Sequence, residues 1–145
     1  MTSRSRPTRD EYRFFHTIAT RWKDNDVYGH VNNVEYYSWF DTAVNFWLVS
    51  RGVLDIAASP VVGIVVETGC RYHAPVTFPD QVSIGIRAAR IGNSSVRYEA
   101  AVFRNDADDA AADGHFVHVF VDRGTMRPVP MAAAVRRALA EIATP

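Results

Sequence analysis

The sequence predicts an α+β domain in which one long apolar helix lies against an antiparallel sheet. Two observations point to it. At Asn33 the hydrophobic pattern changes from an alternating one to a helical one, which holds to Ser50. After the helix, β-branched or alternating runs follow one another with no second long helical pattern between them. Strands in that order pair as antiparallel neighbours rather than as βαβ units. The 145 residues suit a single domain with its own core, and no repeat or linker divides them.

The elements follow in chain order. Residues 1–10 include "MTSRSRPTR", which is basic and lacks the apolar centre of a secretory signal. They are expected to form a flexible tail, and residues 11–145 a single domain. In "YRFFHTIATRW" Phe14, His16, Ile18 and Thr20 share one face of a strand. The polar turn "DNDVYGHVNN" comes next. From about Asn33 to Ser50, Tyr36, Phe40, Ala43, Val44, Trp47 and Leu48 form one broad apolar stripe. Asn32 or Asn33 is placed to cap this helix, and Gly52 to end it in a left-handed conformation. Trp39 and Phe46 lie off the stripe, so the helix needs cover on more than one side or from a second chain.

"VVGIVVETGCRYH" then reads as a β-branched strand, and "HAPVTFPD" interrupts it with two prolines. "QVSIGIRAARIG" and "SSVRYEAAVFRN" alternate as strands. "DADDAAADG" is expected to be a polar hairpin loop with solvated acids, leading to the strand "HFVHVFVDR". An Ala-rich stretch, "PMAAAVRRALAEIA", predicts a short last helix. Five or six strands wrapping one helix leave edges and aromatics uncovered, which predicts a dimer.

Composition narrows the function classes. Lys plus Arg and Asp plus Glu both total 16, a balance that argues against nucleic-acid or anionic-membrane partners. No run approaches the length of a membrane span, and the cytoplasm is the expected location. Cys70 is the sole cysteine, so neither an internal disulfide nor a cysteine zinc site is expected, and it reads as a packed small residue. His16, His73, His115 and His118 are dispersed, and His115 and His118 fall on opposite faces of a strand. No metal site is expected. There is no phosphate-binding glycine loop and no serine elbow.

The turn carries the chemistry. Asp24 and Asp26 precede the helix, and His30, Asn32 and Asn33 sit at its mouth. Unbonded N–H groups and the positive end of the dipole at a helix start can polarise a carbonyl and hold a developing oxyanion. A nearby carboxylate can attack that carbonyl or activate water. The other reading is a capped turn and nothing more, since Asp, Asn and Gly29 are ordinary turn residues.

"DNDVYGHVNNVEYYSWFDTA" closely resembles the signature of hotdog-fold acyl-CoA thioesterases of the 4-hydroxybenzoyl-CoA thioesterase type, D-x-D-x-x-G-H-V-N-N-x-x-Y before an aromatic helix. "RYHAPVTFPDQV" and "RIGNSSVRYEAAVF" look like later strands of that family. The resemblance implies a hotdog fold, a long central helix wrapped by a five- to six-stranded antiparallel sheet with a short C-terminal helix. It also implies a homodimer or homotetramer with active sites between subunits.

By position, Asp26 matches the catalytic carboxylate, as nucleophile or general base, and the Asn33 N–H matches the group that polarises the thioester. Gly29 matches the turn glycine; His30 and Asn32 match positions that shape the loop; Tyr36 would line the acyl pocket. The substrate implied is an acyl-CoA or acyl-carrier-protein thioester. No cofactor is implied, because coenzyme A enters as part of the substrate. Some members bind CoA phosphates with a basic cluster between later strands, where this chain has only Arg90 and Arg97. A hotdog hydratase or dehydratase carries Asp and His in D-x-N-P-x-H. Here Asp26 and His30 stand four apart and position 27 is Val, which argues against that class. A non-catalytic acyl-CoA-binding hotdog protein is the remaining alternative.

Overall fold

The computed structural model describes residues 6–144. The elements are β1 (Phe14–Ala19), α1 (Asn33–Ser50), β2 (Val61–Tyr72), β3 (Gln81–Ile91), β4 (Ser95–Arg104), β5 (Ala112–Asp122) and α2 (Ala133–Ala140). The strands form one five-stranded sheet in the order β1-β3-β4-β5-β2, with every neighbouring pair antiparallel. The sheet has two free edges, β1 and the longer β2, and its inner face holds α1.

Alternation explains the packing. Val82, Ile84, Ile86 and Ala88 of β3, with Val96, Tyr98, Ala100 and Val102 of β4, point inward and are buried. Phe116 and Phe120 of β5 join them. Against this face α1 places Tyr36, Phe40, Ala43, Val44 and Leu48, as its apolar stripe predicts. Phe40 is fully buried, and truncating such a residue to alanine costs about 3–5 kcal/mol. Gly114 lies under it: a Cβ there would run into the Gly69 carbonyl and touch Phe40. Trp39, off the predicted stripe, is buried as well, while Phe46 stays half exposed and stacks on His16 with ring centroids 4.3 Å apart. The buried arc of α1 is therefore wider than the periodicity shows. Leu139 and Ile142, at the end of α2, close the far end of the core.

Two sequence expectations change. Residues 1–5 of the expected tail lie outside the described residues, but residues 6–10 are hydrogen-bonded to the loop between β4 and β5. Arg6 Nε donates to Ala110 O at 2.8 Å, the Arg9 N–H donates to Asp108 O at 3.2 Å, and Thr8 bridges to Asp109. The segment covers a second cluster on the outer face, made of Tyr12, Ala101, Phe103 and Ala110. The expected loop "DADDAAADG" ends sooner than its polarity predicts: β5 begins at Ala112, and Asp113 is buried rather than solvated. Among the described residues no helix is long and apolar enough to cross a membrane.

Candidate active site

The turn between β1 and α1 uses its two acids differently. Asp24 is 1% exposed. Its Oδ2 accepts the Arg21 N–H at 2.7 Å, and its Oδ1 accepts Arg21 Nε at 3.0 Å and Nη2 at 2.8 Å. Its carbonyl also accepts the Asn32 N–H at 2.9 Å. Arg21 Nη2 reaches Glu35 Oε2 at 3.3 Å as well, which ties the turn to the first turn of α1. Asp24 is thus a structural clamp.

Asp26 is half-buried, and its Oδ1 accepts the Tyr28 N–H at 2.9 Å. Its Oδ2 has no partner among the described residues. The Asp26 N–H donates to His30 O at 2.9 Å and the Gly29 N–H to Asp26 O at 3.0 Å, which closes a tight turn. Gly29 has a φ of +84° there, a conformation that a side chain disfavours. The loop before β3 pins the turn: Thr77 Oγ1 donates to Gly29 O at 2.7 Å, and the Val31 N–H donates to Val76 O at 2.8 Å. Asp80 anchors that loop by accepting the Thr77 N–H, Arg104 Nε and Asn105 Nδ2. Burial alone would raise the Asp80 pKa, but these hydrogen bonds outweigh it and hold the carboxyl below its ordinary value.

Asn32 caps α1, its Oδ1 accepting the Val34 N–H at 3.0 Å. The Glu35 N–H donates to Asn32 O, whereas the Asn33 N–H has no partner among the described residues. One donor is therefore left at the positive end of the helix. Asn33, His30, Val31 and Tyr36 line a cleft of about 320 Å³ together with Tyr72 and His73. Tyr72 donates from its hydroxyl to Asn33 O at 3.3 Å and packs edge-on to Tyr36. Burial pushes the Tyr36 phenol up to about 12 and raises Tyr72 further, so both stay neutral.

Tyr72 and His73 were not among the sequence-derived site residues. His73 Nε2 lies 2.6 Å from Asp113 Oδ1, and Arg71 Nη2 lies 2.6 Å from Asp113 Oδ2. Burial of Asp113 works against its charge, yet the Arg71 and His73 hydrogen bonds prevail and keep its pKa below the usual carboxylate range. The available signal was a lone acid in the Ala-rich run "AAADG", preceding a strand that pairs with "CRYH".

His30, Asn33 and Tyr36 line one cleft at the helix start, Asn32 caps the helix, and Asp26 and Gly29 lie in the turn before it, outside the residues that line the cleft. Arg90 and Arg97 do not join them within one chain. They are Cα partners on β3 and β4, at the end of the sheet away from the turn. From Gln81, beside the turn, Arg90 is nine residues along β3, or about 30 Å. Arg97 also faces carboxylates, Glu67 at 3.8 Å and Glu99 at 3.9 Å. Cys70 is half-buried, and burial pushes its thiol up to about 11, as suits a packed residue rather than a nucleophile. Among the described residues no group of three or more His, Cys, Asp or Glu could hold a metal ion.

A long helix wrapped by this five-stranded sheet, with a polar turn at the helix start, defines a hotdog-fold protein. Residues 20–139 match the Thioesterase-like superfamily, and the chain belongs to it. Among solved structures, the PA5185 protein of Pseudomonas aeruginosa strain PAO1 is similar at 53% identity and a TM-score of 0.94, over 96% of this chain and 97% of that one. The PA2801 protein of the same species, described as a candidate thioesterase, is 28% identical with a TM-score of 0.81, over 88% and 98% of the two chains. The BH1999 gentisyl-coenzyme A thioesterase shares the fold at 23% identity and a TM-score of 0.78, over 87% and 99%. A search of curated protein sequences gives no match.

Proposed function

We propose that the chain hydrolyses an acyl-CoA, or acyl-carrier-protein, thioester to the free acid and the thiol, without a cofactor of its own. The observation that carries this reading is that one pinned turn holds both a carboxylate oxygen, on Asp26, and a helix-start N–H, on Asn33, that have no partner among the described residues. The Asn33 N–H, backed by the helix dipole, donates a hydrogen bond to the thioester carbonyl oxygen as its negative charge grows. The Asp26 carboxylate either adds to the carbonyl carbon or takes a proton from the attacking water. In the first route addition expels the thiolate and leaves an acyl–Asp26 anhydride, which water then cleaves to free the acid and restore the carboxylate; in the second the activated water adds directly, and in both the C–S bond breaks and the thiol leaves with a proton. Tyr36 and Tyr72 supply an uncharged wall for the acyl group. His30 and Asn32 shape the turn, and Gly29 allows it.

The reading includes a homodimer, or a tetramer of two dimers. β2 is a 12-residue edge strand with Val65 44% and Val66 55% exposed, and such an edge pairs readily with a second copy. Trp22, Val27, Tyr28 and Val34, exposed around the turn, are further apolar surface for a subunit to cover. Arg90 and Arg97 would reach CoA phosphates only at a site completed by another subunit. The test is thiol release from a panel of aromatic and straight-chain acyl-CoAs. Hydrolysis of at least one at a rate set by enzyme concentration supports the reading; binding without turnover across the panel favours a non-catalytic acyl-CoA-binding protein.

A further inference from the structure

A second cavity lies at the opposite end of α1 from the turn. It measures about 440 Å³ and sits between the last turns of α1, the loop over residues 51–60, the start of β2 and α2. α1 has 18 residues, about 27 Å of helix, and no residue of the turn lines this cavity. Leu48, Val53, Leu54, Phe120 and Val135 are among its apolar walls. Its polar side chains are already engaged. Asn45 Nδ2 donates to Asp41 O and Oδ1, both at 2.9 Å, and Ser59 Oγ accepts the Asp55 N–H at 2.8 Å. Arg123 donates to Ser59 O at 2.7 Å and Ile56 O at 2.9 Å. An apolar group fits such walls better than an ionised one.

The free edge strand borders both this cavity and the helix-start cleft. Tyr72, the last residue of β2, lines the cleft and donates to Asn33 O at 3.3 Å. Val61, Val62 and Gly63, the first three residues of β2, line the far cavity together with Leu48. β2 therefore runs against α1, its end at the helix start and its beginning at the helix end. An exposed run, Val65–Thr68, occupies the middle of its 12 residues. When two copies join this edge into one sheet with both helices on the same side, the two-fold axis stands perpendicular to the sheet. The two β2 strands are then antiparallel. An axis between Val66 and Glu67 sets Val61 opposite Tyr72 of the partner subunit. The cavity of one chain then adjoins the helix-start cleft of the other.

We propose that this cavity serves the partner subunit's site: it holds the far end of an apolar acyl group whose thioester lies at the turn of the other chain. The cleft of about 320 Å³ at the helix start takes the acyl carbons next to the carbonyl, and the cavity across the seam takes the rest. Acyl groups with a long apolar tail are the substrate class implied. The proposal rests on the thioester reading and on the pairing of β2, and its test separates it from both.

The first part of the test is calorimetric titration of the full-length protein with S-decyl-CoA and S-propyl-CoA, thioethers that cannot be hydrolysed. Leu54→Trp fills the cavity from its loop and should weaken S-decyl-CoA by at least about ten-fold, the loss of buried methylenes, while leaving S-propyl-CoA unchanged. Val135→Phe, which fills the cavity from α2, serves if that variant fails to fold. An equal effect on both thioethers, or none on either, overturns the proposal whether or not the protein hydrolyses thioesters. So does a monomeric Val66→Lys variant that keeps the wild-type preference for S-decyl-CoA. The second part assigns the cavity to a chain. Two full-length versions are co-expressed with different tags and purified through both, and decanoyl-CoA turnover is measured. With Asp26→Asn and Leu54→Trp on different subunits, one site is intact and about half of the wild-type rate should remain. With both changes on one subunit beside a wild-type copy, each site has one defect and nearly all turnover should be lost. The reverse pattern, or half the rate in both hybrids, overturns the proposal. Binding of S-decyl-CoA that is sensitive to Leu54→Trp, without turnover of any thioester, would sink the hydrolysis reading and leave the cavity's role standing.

Discussion

Arg21 holds Asp24 through three hydrogen bonds, and the same turn leaves Asp26, two residues on, with an unbonded carboxylate oxygen. Two acids in one motif thus have separable consequences. Asp24→Asn weakens the clamp on Arg21 in a buried setting, which costs stability on the order of 1–3 kcal/mol. It should lower the midpoint of urea unfolding while the folded fraction keeps activity. Asp26→Asn should leave the urea midpoint nearly unchanged. Equal loss of stability in both variants would contradict this division.

The cap of α1 serves both structure and chemistry. Asn32→Ala removes the side chain that accepts the Val34 N–H and should cost about 1 kcal/mol of stability. It also loosens the helix start that holds the Asn33 N–H, so kcat should fall more than substrate affinity. Urea titration and steady-state kinetics on the same preparation check both parts.

Asp80 and Asp113 predict how the fold responds to acid. Both carboxyls have folded pKa values below their ordinary ones. Their stabilisation is present above the unfolded carboxyl pKa of about 4 and is lost as pH falls through the folded values. Melting temperature should therefore drop steeply below about pH 4. In Asp80→Asn and Asp113→Asn it should start lower at neutral pH and fall less on acidification. A parallel acid limb in wild type and both variants would show that these groups do not supply it.

The free edge of β2 predicts the assembly. Val66 sits at the irregularity between Val65 and Glu67 and has no register partner on β5. Val66→Lys should therefore disturb the outer edge more than the sheet, since a lysine on an edge opposes strand pairing. Light scattering on a sizing column should find a dimer or tetramer for wild type and a monomer for the variant. A wild-type monomer would remove the subunit-interface part of the proposal.

The helix was legible because its stripe is a local pattern: Tyr36, Phe40, Ala43, Val44 and Leu48 recur at helical spacing and are all buried. The Asn32 cap and the Gly52 left-handed stop were legible for the same reason, as both act on neighbouring residues. What the pattern missed depends on elements far apart in sequence. Asp113 looks like a loop acid until β2 brings Arg71 and His73 beside it. Residues 6–10 look like tail until the chain near Ala110 offers them partners. Arg90 and Arg97 look like site residues by resemblance, but the antiparallel course of β3 carries them to the other end of the sheet.

The most direct measurement is single-turnover hydrolysis of the best acyl-CoA from the panel by wild type and Asp26→Asn, with acyl-CoA affinity measured alongside. Asp26→Asn should bind as wild type does and turn over more slowly by roughly 10²–10⁴-fold, the range for losing a catalytic carboxylate. Hydrolysis near the wild-type rate by that variant would contradict the role given to Asp26.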